Sequence, residues 1–470
     1  MASGTTLLMI VLFSVLILVG SSLLAMYFGR HTKTSEDWAV GGRKLPLYVI
    51  VGTQYATAMG GGVLVAHIGI AYANGWSLFI YGGLVSGGFI LLALLAKWLR
   101  ANNFTTIPDI FEHLYGDNKL LALLAAFMSF SVPFGGACAQ MIAFAKLYNA
   151  ITGIPINYLI IVFAVVAALL VLPAGLTSVA WTDFLMGCFM LVISVISSAY
   201  ALNMAGGWSN IVATVPAEII KFPQGLLSVG MYSIGLWALS ILPGTLTAQT
   251  YYQRIFAVKE PKDAAVSLII SAFVIFTAEI WATVMGFSIR TANGGLAPEL
   301  ASGWFLTQIP AWFLVIFAGF IVSVLVTTVD SNLQSACVTF SRDIYQKILK
   351  PDATDAQVLK ASRATTIVIT VLCIIMGTSL PSVLGWTVAT FAYSAAGLLV
   401  PIFGGYFLRN KKFTTPTGAI CSVLFGFLGC GFAHLANTSI PYVGYGLVGS
   451  LIGMILGSLL TRKQYYADQH

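Results

Sequence analysis

Thirteen apolar stretches, each long enough to cross a bilayer, dominate this chain of 470 residues. They fall near 6–29, 46–72, 76–99, 120–148, 156–175, 178–205, 225–250, 262–290, 309–341, 361–384, 385–408, 414–437 and 440–462. Some 20 apolar residues span the hydrocarbon as a helix. These runs are too long for porin-type strands and do not alternate. Lipid-facing backbone must satisfy its own hydrogen bonds, so helix is the expected conformation. Only 8% of residues are charged, against about 25% in a soluble domain. The expected fold is an all-α integral membrane protein of about 13 transmembrane helices.

The first run lacks a basic start and ends at Arg30 without a small-residue cleavage site. It is read as a retained, extra N-terminal helix rather than a signal peptide. The cysteines (Cys138, Cys188, Cys337, Cys373, Cys421, Cys430) all sit in apolar runs. They are read as small buried hydrophobes, not as a disulfide or metal set.

Basic residues fix the expected orientation. Arg30, Lys33, Arg43, Lys44, Lys97, Arg100, Lys119, Arg254, Lys259, Lys262, Arg342, Lys347, Lys350, Lys360, Arg363, Arg409, Lys411, Lys412, Arg462 and Lys463 fall on one side. Only Lys146, Lys221 and Arg290 fall on the other. Positive residues mark the cytoplasm, so the N-terminus is placed outside and the C-terminus inside. The formal charge of +7 is then a topology signal, and no nucleic-acid partner is expected.

Three acids interrupt the apolar runs: Asp183, Glu279 and Asp330. A charge at the bilayer centre costs about 2.5–3.5 kcal/mol. Such residues hold an ion, a proton or a substrate, or else bridge helices as protonated carboxyls. The ninth span carries Thr327, Asp330, Ser331 and Gln334 at helical spacing, with Thr328 on the flank, which makes a polar stripe. A hard cation takes oxygen ligands of these kinds.

Two spans look broken. The second holds Gly60-Gly61-Gly62 and the seventh Pro243-Gly244. Glycine loosens the backbone and proline removes a donor. Freed carbonyls can coordinate a cation where they line a cavity. Each break opens a block of five spans, 46–205 and 225–408, and a five-span block following another lies inverted. Paired interruptions at corresponding positions point to a transporter site.

Together these pieces resemble the sodium/solute symporter family, with its LeuT-type 5+5 inverted repeat and two discontinuous helices. The resemblance runs from the first span to the last. It is carried by Val40-Gly41-Gly42-Arg43, by Thr105 through Gly116, by Gly175 through Asp183 ending Trp181-Thr182-Asp183, and by Asp330-Ser331 through Tyr345. It implies a single transporter domain (1–470), with 6–29 and 414–462 as additions to the two repeats. It also implies a main sodium site of backbone carbonyls from Ala56, Met59 and Val324 and hydroxyls from Thr327 and Thr328, where serine is common. Asp183, Asp330 and Ser331 would make a second sodium or proton site. Asp330 departs from the serine of two-sodium members, and Pro173-Ala174-Gly175 departs from two glycines.

The motifs look nearest to choline-transporter-like members, but the aromatic cage that holds a quaternary ammonium is missing. Ala58 and Ala248 stand at cage positions. The fourth span lacks the arginine of acid-sugar members, and Val63, Leu64 and Val65 replace sugar-type polar residues. The expected solute pocket is small and mostly apolar, with Ala58, Gly60, Gly61, Phe134, Gln140, Trp237 and Gln249 as its candidate residues. A small amino acid or similarly compact organic molecule would fit. His67 is a candidate proton relay, and Glu279 has no role in the family pattern. Segment 102–116 reads as an interfacial amphipathic helix through Ile107, Ile110, Phe111 and Leu114.

The leading expectation is Na⁺-coupled uptake of a small organic solute across the cytoplasmic membrane, with Na⁺ as coupling ion and membrane lipid as surroundings. One alternative is proton coupling through Asp183, Asp330 or Glu279. Another is a membrane sensor or channel, although only eight residues follow Arg462. No nucleotide-binding loop is evident, and neither an organic cofactor nor a catalytic nucleophile–base pair is expected.

Overall fold

The computed structural model describes residues 4–30, 34–171 and 175–467. Lys33 of the basic tally, and Pro173 and Ala174 of the glycine-rich run, lie outside the described residues. The described chain is helical almost throughout. Its only extended pairing is an isolated bridge between Leu45 and Val258.

The principal helices are α1 (Gly4–Gly29), α2 (Leu47–Ala58), α3 (Gly62–Asn74), α4 (Ser77–Ala101), α5 (Ile107–Tyr115), α6 (Lys119–Thr152), α7 (Ile156–Val171) and α8 (Leu176–Met204). They continue with α9 (Met231–Thr245), α10 (Gln249–Ala257), α11 (Pro261–Ala292), α12 (Ala311–Val338), α13 (Asp355–Ser379), α14 (Val383–Leu399), α15 (Pro416–Leu435) and α16 (Tyr442–Ala467). Each of the thirteen expected spans has a helical counterpart. By length and apolarity, 11 segments qualify singly, α9 and α10 counting as one, and the bent pair α2–α3 makes a twelfth. The remaining one, α7, is apolar but short.

Burial is graded from rim to centre. One face of α1 leaves Leu8, Leu12, Leu16 and Leu23 uncovered, as lipid contact demands. The window that qualifies the ninth span is 83% buried, so α12 is the central post. It packs against α6, α1, α8 and α2. Close packing elsewhere relies on missing side chains. A Cβ on Gly453 of α16 would collide with the Cys421 carbonyl of α15, so the two helices meet backbone to backbone.

Three expectations are corrected. The seventh span does not break at Pro243-Gly244, because α9 runs on through Thr245. Proline removes only its own donor, and the Thr247 hydroxyl donates to the Pro243 carbonyl at 3.2 Å. The interruption comes at Leu246–Ala248. Second, the apolar face of α5 is covered by protein rather than left free for lipid. Ile107, Ile110 and Phe111 are buried, and α5 packs on α6. Third, Arg254, counted among the basic residues that mark the cytoplasmic side, is fully buried in α10.

The polar face of α5 is latched to the segment that follows α12. The Asp109 carboxylate caps α5 by accepting from the Thr105 and Thr106 amides at 2.8 and 3.2 Å. It also lies 2.5 Å from Lys347 Nζ and 3.7 Å from Arg342. Burial alone pushes this carboxyl up, but the two cations and these hydrogen bonds outweigh it and hold it below its ordinary value.

Two predictions follow from this packing. Gly453→Leu should lower the melting temperature of the detergent-purified protein, whereas Gly83→Ala, into open space within α4, should not lower it. Asp109 should contribute stability above the ordinary carboxyl pKa of about 3.9 and lose it as pH falls through its lower folded value. Melting between about pH 5 and pH 3 should therefore fall more steeply in the wild type than in Asp109→Asn, by a contribution of about 1 kcal/mol.

Candidate functional site

The break between α2 and α3 has a local cause and a local consequence. In an unbroken helix the Gly60 amide would donate to the Ala56 carbonyl. Here it turns to the Ala58 carbonyl at 2.9 Å, and the chain bends by 51° before α3 resumes. A Cβ at Gly60 would lie 2.9 Å from Thr328 Oγ1 and from Gln140 Oε1, so this approach requires glycine.

The Ala56 carbonyl, released from its helix partner, faces α12. The Thr327 and Thr328 hydroxyls both lie 3.3 Å from it. They also lie 3.1 and 3.0 Å from the Val324 carbonyl. Four oxygens of the expected sodium site are thus brought together from two helices. Thr327 Oγ1 also lies 3.0 Å from the Ser323 carbonyl, which offers its proton an acceptor while its lone pairs turn inward. An all-oxygen set of carbonyls and hydroxyls suits a hard cation. Met59 caps α2, but among the described residues no hydrogen bond ties it to Thr327 or Thr328.

Below this cluster the expected second site takes a different form. Asp183 Oδ2 accepts from Thr53 at 2.5 Å, from Ser331 at 3.2 Å and from Thr57 at 3.5 Å. The cation beside it is the guanidinium of Arg254. Its Nη2 lies 2.5 Å from Ser331 Oγ, 3.3 Å from Thr57 Oγ1 and 3.8 Å from Asp183. Four elements, α2, α8, α10 and α12, are tied by one buried ion pair and its hydroxyls. Asp330 is not part of this knot. It stands one residue before Ser331, about 100° around α12, and there it lines a small cavity with Ser21, Thr182 and Thr327. There its Oδ1 has no hydrogen-bond partner among the described residues.

A central cavity of about 100 Å³ abuts the oxygen cluster and shares Thr328 with it. Of the expected solute residues it contains Ala58, Gly60 and Gln140. Gly61 stays behind the wall, its amide donating to Gln140 Oε1. Three expected residues lie elsewhere. Gln249 Oε1 accepts from the Ile107 amide at 2.9 Å, because the first amides of α5 need an acceptor. Trp237 lines a separate cavity with Trp386 and His434. Phe134 packs against Phe130 and Trp386. In their place the cavity presents His67, Tyr81, Tyr251, Glu279 and Asn332. Glu279, which the family pattern leaves without a role, has a partner: its Oε2 lies 2.8 Å from His67 Nδ1.

A sequence profile of the Sodium:solute symporter family matches residues 38–426 of this chain. The chain belongs to that family. Among its relatives is the high-affinity proline transporter PutP of Bacillus subtilis, 25% identical and covering 95% of this chain and 98% of the relative. The sodium/glucose cotransporter of Vibrio parahaemolyticus is 22% identical, covering 94% and 87%. The fold is that of a solved Na⁺-coupled sialic acid symporter in a substrate-bound, outward-open state. That match has a TM-score of 0.80 at 18% identity and covers 97% and 98% of the two chains. The nucleobase-cation symporter Mhp1 shares the architecture at a TM-score of 0.61 and 12% identity, with 91% and 95% covered. This member of the symporter family is therefore an integral membrane transporter of LeuT-type fold, not an enzyme.

Breaking a buried pair strands the remaining charge, at a cost of about 3–5 kcal/mol. Arg254→Ala should lower the melting temperature strongly, and adding Asp183→Asn should restore most of the loss. A double variant no more stable than Arg254→Ala would show that the pair does not bear on stability.

Proposed function

We propose that this protein couples Na⁺ to the uptake of a compact organic solute by alternating access. The carrying observation is the Ala56 carbonyl, released by the break after α2 and met by the Thr327 and Thr328 hydroxyls of α12. Na⁺ at this cluster would hold α2 against α12 and so shape the adjoining cavity, which is the solute site in this reading. Met59 would complete the ligand set. Release of both cargoes would follow rocking of one group of helices against the other.

The two interrupted segments, α2–α3 and α9–α10, support reading 46–205 and 225–408 as inverted five-helix repeats. The basic residues support a cytoplasmic membrane location with the N-terminus outside. Sodium is favoured over protons because two of the three intramembrane acids already have partners within the protein. Asp183 faces Arg254 and Glu279 faces His67.

A ligand that binds only the folded state raises its stability, by about 2.7 kcal/mol at a hundred times Kd. Melting of the purified protein should therefore rise in Na⁺ relative to equal K⁺, and Thr328→Ala should remove that rise. A Na⁺ effect that survives in Thr328→Ala would place the ion elsewhere.

A further inference from the structure

The central cavity carries one acidic side chain, Glu279, and no lysine or arginine among its described lining residues. Glu279 reaches it across α4 because Gly82 leaves room: a Cβ there would collide with Glu279 Cγ. The carboxylate is buried and held from one side, Oε2 against His67 Nδ1. The His67 ring is itself braced edge-on by Tyr81, with centroids 4.6 Å apart. Among the described residues nothing donates to Oε1. A carboxylate offers about four lone-pair sites, and one imidazole nitrogen uses one of them. A carboxylate removed from water costs several kcal/mol unless it is paired and hydrogen-bonded.

We propose that Glu279, positioned by His67, is the recognition anchor of the solute site, and that the solute is a compact molecule bearing a protonated primary or secondary amine. The assignment rests on reading the cavity as the solute site. A protonated amine supplies N–H donors for Oε1 and a positive charge on the cavity side of the carboxyl, opposite His67. Tyr81, Tyr251 and Phe391 give the same cavity aromatic walls, which also favour a cation. A quaternary ammonium has no N–H to donate and would leave Oε1 unbonded. A hydroxy acid would bring a negative charge beside Glu279 with no protonated amine to offset it. An uncharged sugar would leave the carboxylate's charge without a counter-charge in the cavity.

The test uses melting of the detergent-purified full chain in Na⁺ or in equal K⁺. The probes are L-alanine and L-proline on one side, and L-lactate, glycine betaine and glucose on the other. At least one of the two amines should raise the melting temperature in Na⁺, and the other three probes should not. Glu279→Gln should weaken the amine response about tenfold or more, as loss of a charged hydrogen bond does, while keeping the response to Na⁺ alone. Protection by lactate, betaine or glucose equal to that of the amines overturns the proposal. So does the absence of protection by both amines, or an unchanged amine response in Glu279→Gln. Where that variant does not survive purification, the wild-type contrast between the amines and the other three probes decides. An amine response equal in K⁺ and Na⁺ would count against sodium coupling and leave the amine assignment standing.

Discussion

One backbone hydrogen bond that is not made organises this protein. In a bilayer every carbonyl must find a donor or a cation, and a helix normally supplies the donor four residues on. At Gly60 the amide turns to Ala58 instead, and the Ala56 carbonyl is left to two threonines of α12. Such a break is tolerable only where protein encloses it. That is why it faces the most buried part of the bundle, and why glycine is needed at the point of closest approach.

Around that point the polar groups are layered. Carbonyl and hydroxyl oxygens meet at the break. The Asp183–Arg254 knot lies on one side, and the His67–Glu279 pair on the cavity side. Each buried carboxylate has a different answer to desolvation. Asp183 takes a guanidinium and three hydroxyls, Glu279 takes an imidazole, and Asp330 faces a small cavity with one oxygen unpaired. Three acids that look alike in the sequence therefore have three different environments. The ion pair joins α2 and α12, which form the oxygen cluster, to α8 and to α10, which lines the cavity.

The sequence was most legible where its signal is local and periodic. Apolar runs marked the spans, since twenty residues of helix must match a fixed hydrocarbon thickness. The triple glycine marked the break in the second span, and the stripe of Thr327, Asp330, Ser331 and Gln334, with Thr328 on its flank, marked α12 as the polar span, although Asp330 faces a different cavity from Ser331. The Pro243-Gly244 break was displaced because proline weakens a helix without fixing where it ends, and the threonine hydroxyls that follow keep the turn closed. Arg254 was missed because a basic residue just past an apolar run reads as a loop anchor. Its helical continuation through Gln249-Thr250-Tyr251-Tyr252-Gln253 was the available signal.

By itself the sequence determined an all-helical membrane architecture, because composition and run length suffice for it, and its motifs carried the resemblance to the family; that resemblance also named the four oxygens that meet at the break. Only the tertiary structure decided which polar residues meet. His67 and Glu279 are separated by 212 positions, and Asp183 and Arg254 come from different halves of the chain. Gln249 and Trp237, expected at the solute pocket, are drawn to other partners. The rotation of each helix about its axis and its choice of neighbours follow from packing summed over the whole bundle, which no local pattern encodes.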